Sequence, residues 1–116
     1  MNIALIATAA LLALAAAGSA AGKFRRLPTI VASMHSVGVT DRQIPQLATL
    51  ELLGAIGLLV GIQLKPIGVA AAAGLTLYFL GAVVAHLRTA APKSELAPAA
   101  VLAALAFVTT LLEFGR

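Results

Sequence analysis

Four stretches of this chain are almost free of charge, and their lengths leave few folds open. Residues 2–22, 67–85 and 96–112 hold no Lys, Arg, Asp or Glu, and residues 43–64 hold only Glu51. Each is close to the roughly 20 residues that a helix needs to cross the apolar part of a bilayer. Composition points to the same solvent. The chain is 61% hydrophobic and 10% charged, whereas a soluble domain has about a quarter of its residues charged. A water-soluble chain of 116 residues with so few polar side chains could not cover its own surface. Four spans use roughly 80 positions, which leaves three connections, two tails and no room for a second domain. The expectation is an all-α integral membrane four-helix bundle over residues 1–116. Its spans lie at about 2–22, 43–64, 66–88 and 95–114, with a short interfacial helix at about 27–37.

Punctuation supports this partition. Residues 2–22 read as a retained helix rather than a cleaved signal, because Met1 and Asn2 supply no basic n-region and the apolar run exceeds the usual h-region. Lys65-Pro66 separates the second span from the third, with Pro66 in a first turn where no donor is lost. The segment Ala91-Pro92-Lys93-Ser94-Glu95 joins the third to the fourth. Ser94 is the expected N-cap there, and Pro98 is expected in the opening turn.

The connection from Lys23 to Gln43 is long enough to carry structure. Leu27, Ile30, Val31 and Met34 recur at helical spacing, and Thr29, Ser33 and Ser36 take the other side. This is the pattern of a short helix at the membrane surface after the basic cluster Lys23, Arg25, Arg26. Gly38 should end it, and Thr40 with Gln43 should form a capping box for the second span.

Charge sets the orientation. The connections after spans one and three carry Lys23, Arg25, Arg26, Arg42, Arg88 and Lys93, and the other side carries Lys65 and Arg116. By the positive-inside rule the richer side faces the cytoplasm and both termini are extracytoplasmic. On so apolar a chain the net charge of +4 marks topology and lipid headgroups, not nucleic acid.

Cysteine is absent, so thiolate metal sites and Cys nucleophiles are excluded, and no other metal-ligand spacing stands out. Glu51 is the one charged residue clearly within a span, around 10 Å below the richer surface at about 1.5 Å per residue. An ionisable group at such a depth is costly unless paired, hydrated or protonated, and it marks either a site or a structural pair with Lys23, Arg88 or a backbone donor. Its helical face carries Gly54, Ala55, Leu58 and Gly61, a small-residue stripe that turns it toward other helices. His86 lies at the same end of span three, about 9 Å nearer the surface than the level of Glu51. Contact between them needs a helix offset or a water. His35, in the surface segment, reads as solvated, and nothing in the spacing supports a two-His haem site. Thr76, Tyr78, Thr109 and Thr110 are expected to bond within or between helices, and they join a site only by sharing a cavity with Glu51. The glycine pairs Gly18 with Gly22 and Gly57 with Gly61 favour close packing.

The order of motifs has a counterpart. A first span ends Ala-Gly-Ser-Ala-Ala-Gly-Lys at Ala17 to Lys23. A Glu-Leu-x-Gly-Ala-x-Gly segment follows at Glu51 to Gly57, and a third span ends His86-Leu87-Arg88. Over essentially its whole length the chain resembles the DoxX-like family of small bacterial four-helix membrane proteins. The resemblance implies a compact bundle in the bacterial inner membrane. It also implies an association with quinone-linked thiosulfate oxidation or with membrane-bound oxidoreductase assemblies. Lys23, Glu51, His86 and Arg88 match the family pattern. Without cysteine, this chain has no thiol with which to handle sulfur itself.

Several functions fit these residues. The first is a membrane component of a redox or quinone-linked system. Glu51 and His86 would then be the proton-handling, catalytic candidates, and Lys23, Arg88 and Tyr78 the ligand-binding ones, with quinone the candidate cofactor. Others are a membrane enzyme acting on a lipophilic small molecule with Glu51 as acid or base, a proton-coupled small-molecule transporter, and a scaffold subunit. The transporter ranks lower, because no Trp and a single Tyr leave little aromatic surface for an organic cation. The expected partners are the lipid bilayer, a quinone or another lipophilic molecule, and other membrane subunits or a second copy. Whether the chain is itself an enzyme is left open.

Overall fold

The computed structural model describes residues 2–89 and 93–116, apart from the side chains of residues 93–95. Five helices follow one another: α1 (Ile3–Phe24), α2 (Pro28–Ser36), α3 (Gln43–Val60), α4 (Lys65–Arg88) and α5 (Lys93–Phe114). Four contain segments long and apolar enough to cross a membrane, as the charge-free runs require. The molecule measures 40 × 24 × 17 Å, and its long axis is close to the ~40–45 Å of a bilayer with its headgroups. α1 packs against α3 and α5, and α4 packs against α3 and α5, so the four long helices close a ring.

Small residues make that ring tight. The buried stripe of α1 is Leu5, Ala9, Leu12, Ala13, Ala16 and Ala20, and that of α3 is Ile44, Ala48, Glu51, Ala55 and Leu58. Lipid tails are as apolar as Leu, so association rests on close backbone approach rather than on hiding apolar surface from water. The large side chains face outward instead, with Ile3, Leu14, Leu77 and Val101 all more than half exposed. The closest approach is between α3 and α4, where a Cβ on Gly61 would collide with the backbone of Gly68.

The local signals hold with adjustments. Asn2 caps α1 by accepting from the Leu5 N–H at 2.7 Å. Thr40 and Gln43 form the capping box ahead of α3, with Gln43 Oε1 accepting from the Thr40 N–H at 3.0 Å and Thr40 Oγ1 from the Gln43 N–H at 3.3 Å. Gly38, at φ +86°, ends the surface segment, with its N–H and that of Val39 donating to the His35 and Met34 carbonyls. α3 stops at Val60, before a turn, rather than at residue 64. α5 starts at Lys93, so Pro98 sits inside the helix and not in its opening turn. The ring lacks an N–H, which leaves the Ser94 carbonyl without its helical donor. The cap expected from the Ser94 side chain lies outside the described residues.

α2 differs more. Its inward face is Ile30, Ser33, Met34 and Val37, so Ser33, expected on the polar side, turns toward the bundle, while Leu27 is exposed. A neighbour absent from the sequence pattern decides this rotation. Ile30 packs into the space that Gly22 leaves on α1 by lacking a Cβ.

Candidate functional site

Lys23 is the last inward residue of α1, one position after Gly22, and its side chain reaches across to α3. Its Nζ donates to Ser19 Oγ at 2.7 Å and to Glu51 Oε1 at 2.5 Å. Both ends of this ion pair are closed to solvent, at 7% and 0% side-chain exposure. The ammonium has three donors, of which these bonds use two. Glu51 Oε2 has no hydrogen-bond partner among the described residues.

Beside this pair is a cavity of about 550 Å³. Its roof is α2, and its walls come from α1, α4 and α5 with Leu47 of α3. Most of the lining is aliphatic or aromatic. The polar groups are Ser19 and Lys23 of α1, Ser33 of the roof, and Tyr78 and His86 of α4. The Tyr78 ring is held edge-on by Phe79 with centroids 5.2 Å apart. His86 is 5% exposed, and its Nδ1 has no partner among the described residues. A buried ring nitrogen without a partner has given up water without compensation. Lys23 reaches the lining with Glu51 bonded to it from behind.

Of the residues singled out from the sequence, Lys23, Tyr78 and His86 share this cavity, and Glu51 stands behind Lys23 rather than on the lining. Arg88 is exposed at the end of α4 and outside the lining. His35 is half exposed on α2. The hydroxyls of Thr76, Thr109 and Thr110 bond carbonyls one turn back at 2.8 Å, and Thr76 meets Thr110 across α4 and α5 at 3.2 Å. They belong to helix packing, not to the cavity.

A second buried carboxylate went unread in the sequence. Glu113, 1% exposed, lies near the end of α5, so Glu51 is not alone within the spans. Arg116 Nη1 donates to Glu113 Oε2 at 3.1 Å and to the Gly61 carbonyl at 2.7 Å, and Nη2 donates to the Ile62 carbonyl at 3.0 Å. Lys65 Nζ donates to the Phe114 and Arg116 carbonyls at 3.2 and 3.0 Å. These bonds fasten α5 to the α3–α4 turn at the end of the bundle opposite the cavity. The helical spacing of Glu113 and Arg116 was the available signal, obscured because both sit where a span ends.

The arrangement of Lys23 against Glu51, with His86 opening onto the same cavity, gives a three-dimensional sense to motifs that lie far apart in the chain. The profile of the DoxX-like family matches residues 7–108, and these motifs all lie within that match. The chain belongs to the DoxX-like family. No curated protein and no solved structure matches it. As a DoxX-like protein with four apolar helices, it is a multi-pass membrane protein, and the cavity lies at the end of the bundle that carries α2.

Proposed function

We propose that this DoxX-like protein binds a lipophilic small molecule with a neutral, oxygen-bearing end, a quinone in the first instance, as a membrane component of a redox system in the bacterial inner membrane. The observation that carries this reading is a largely aliphatic cavity on which a few polar side chains, Lys23, Tyr78 and His86 among them, converge. The volume falls within the ~300–1,000 Å³ of small-molecule sites, which pair apolar walls with a few convergent polar groups.

The residues fit such a ligand. A quinone ring has carbonyl oxygens at opposite edges and an apolar body. His86 and the Tyr78 hydroxyl supply bonds to an oxygen, the remaining donor of Lys23 supplies another, and the aliphatic walls take the body. When bound, a quinone supplies electron transfer coupled to proton uptake. The His86 imidazole at the cavity wall is a hydrogen-bonding group for a ligand oxygen. Glu51 holds Lys23 in place at the cavity, and its complete burial makes it the partner of that lysine rather than a base that meets the ligand. Electrons in this reading pass to or from a partner membrane subunit.

The basic side chains clustered at the α2 end support an orientation with that end toward the cytoplasm and both termini outside. Cysteine labelling from either side of the membrane tests this directly, since the chain has no cysteine of its own.

Binding is tested by purifying the protein in mild detergent and extracting its lipids. A quinone recovered in near-equimolar amount, and lost with His86→Leu, is the expected result. Recovery of no quinone, together with no binding of a short-chain ubiquinone at micromolar concentration, contradicts the reading.

A further inference from the structure

The two residues with positive φ among those described are Arg26, at +52°, and Gly38, at +86°. They flank α2, one just before it and one just after. The left-handed region is unfavourable for an arginine, so the chain is bent sharply where it enters α2 and again where it leaves. Between these bends α2 contributes no buried residue. It rests on the bundle through the half-buried side chains that roof the cavity, chiefly Ile30 against Gly22. An element with so little buried apolar contact belongs to the low-stability part of a structure, which opens before the rest.

One carboxylate ties both ends of this element. Asp41 Oδ1 accepts from Arg26 Nη2 at 2.8 Å and from His35 Nε2 at 2.7 Å. Arg26 precedes α2, His35 lies in its last turn, and Asp41 follows Gly38. These bonds close the segment from residue 26 to residue 41 on itself, outside the cavity and in contact with water.

The geometry points to α2 as a hinged lid over the cavity, latched by Asp41 to Arg26 and His35, through which the ligand enters and leaves. The lid rests on the proposed ligand site for its purpose, but its motion does not depend on which molecule binds. The latch is exposed, at 45% for Arg26, 48% for His35 and 68% for Asp41, so it is weak enough to open and strong enough to bias the lid shut.

Ser33→Cys places a thiol on the cavity face of the lid in a chain without other cysteines. Its rate of reaction with a water-soluble maleimide then reports lid opening with no ligand present. Asp41→Asn in that background is expected to raise the rate about fivefold, the loss of two exposed charge-assisted bonds. His35→Phe should raise it, while His35→Gln, which keeps a donor near the position of Nε2, should leave it near the starting value. Rates unchanged by both Asp41→Asn and His35→Phe overturn the lid even if a quinone binds. In a second arm, Asp41→Asn should speed association and dissociation of a short-chain ubiquinone by similar factors and leave its Kd nearly unchanged. Faster labelling with unaltered quinone exchange overturns the role of α2 as the entry route. Faster labelling with no quinone binding upholds the lid and contradicts only the ligand reading.

Discussion

Lys23 Nζ lies 2.5 Å from Glu51 Oε1 across the packed faces of α1 and α3, and neither side chain is open to solvent. In an apolar surrounding each charge is tolerable only because the other is present. The pair therefore works in two ways at once. It holds the first span to the second, and it fixes Lys23 at the wall of the adjoining cavity.

Breaking that pair from one side should be far worse than removing it. Lys23→Ala or Glu51→Ala should cost about 3–5 kcal/mol. The double variant Lys23→Met, Glu51→Leu should recover most of that stability in denaturant unfolding in detergent. A double variant as unstable as the singles would mean that the pair is not the source of the loss.

His86 should separate stability from binding. Its buried Nδ1 lacks a partner, so His86→Leu removes a desolvated polar group and should leave the fold as stable or raise it by about 1 kcal/mol. The same substitution should weaken short-chain quinone binding about tenfold, and Tyr78→Phe should weaken it severalfold with stability little changed. Thermal unfolding and equilibrium binding on the same samples decide between a ligand role and a packing role.

The opposite end should behave in reverse. Arg116→Ala leaves Glu113 buried without its cation, at a cost of about 3 kcal/mol. Gly68→Ala places a methyl against the Glu113 carboxylate, at about 1–3 kcal/mol for overpacking. Both should lower the unfolding midpoint while quinone affinity of the folded protein stays the same. A fall in affinity would tie this end to the site.

The latch should be sensitive to acid. Hydrogen bonds from His35 first, and then from Arg26, hold the Asp41 carboxyl below its usual 3.8. A lowered carboxyl contributes above its ordinary value, and that contribution is lost as pH falls through the lowered one. Labelling of Ser33→Cys, corrected for reagent reactivity, should therefore rise as pH falls below the ordinary carboxylate range. Asp41→Asn should abolish that rise.

What the chain revealed in advance follows from which interactions are local. The spans, the capping box of Thr40 and Gln43, and the stop at Gly38 are set by residues within a few positions of one another, and they could be read off the sequence. The inward aim of Glu51 was also legible, because Gly54, Ala55, Leu58 and Gly61 share its face. The rotation of α2 was not, since it depends on Ile30 meeting Gly22 of another helix. The pairing of Lys23 with Glu51 was one of several options until α1 and α3 were placed side by side. Glu113 was hidden because its burial comes from Gly68 and the α3–α4 turn, which are distant in sequence. The cavity belongs to no single segment, and no pattern within one helix announces it.

The central claim is that the space beneath α2 is a binding site. Gly81 lines its open edge, and a Cβ there would meet nothing within 4 Å, so Gly81→Leu adds bulk at the mouth of the cavity without straining the bundle. The most direct measurement is calorimetric titration of a short-chain ubiquinone into the wild type and into this variant, both confirmed as folded. The account predicts saturable binding at one site in the wild type and at least a tenfold loss in Gly81→Leu. Equal binding by the two proteins, or none by either, would contradict it.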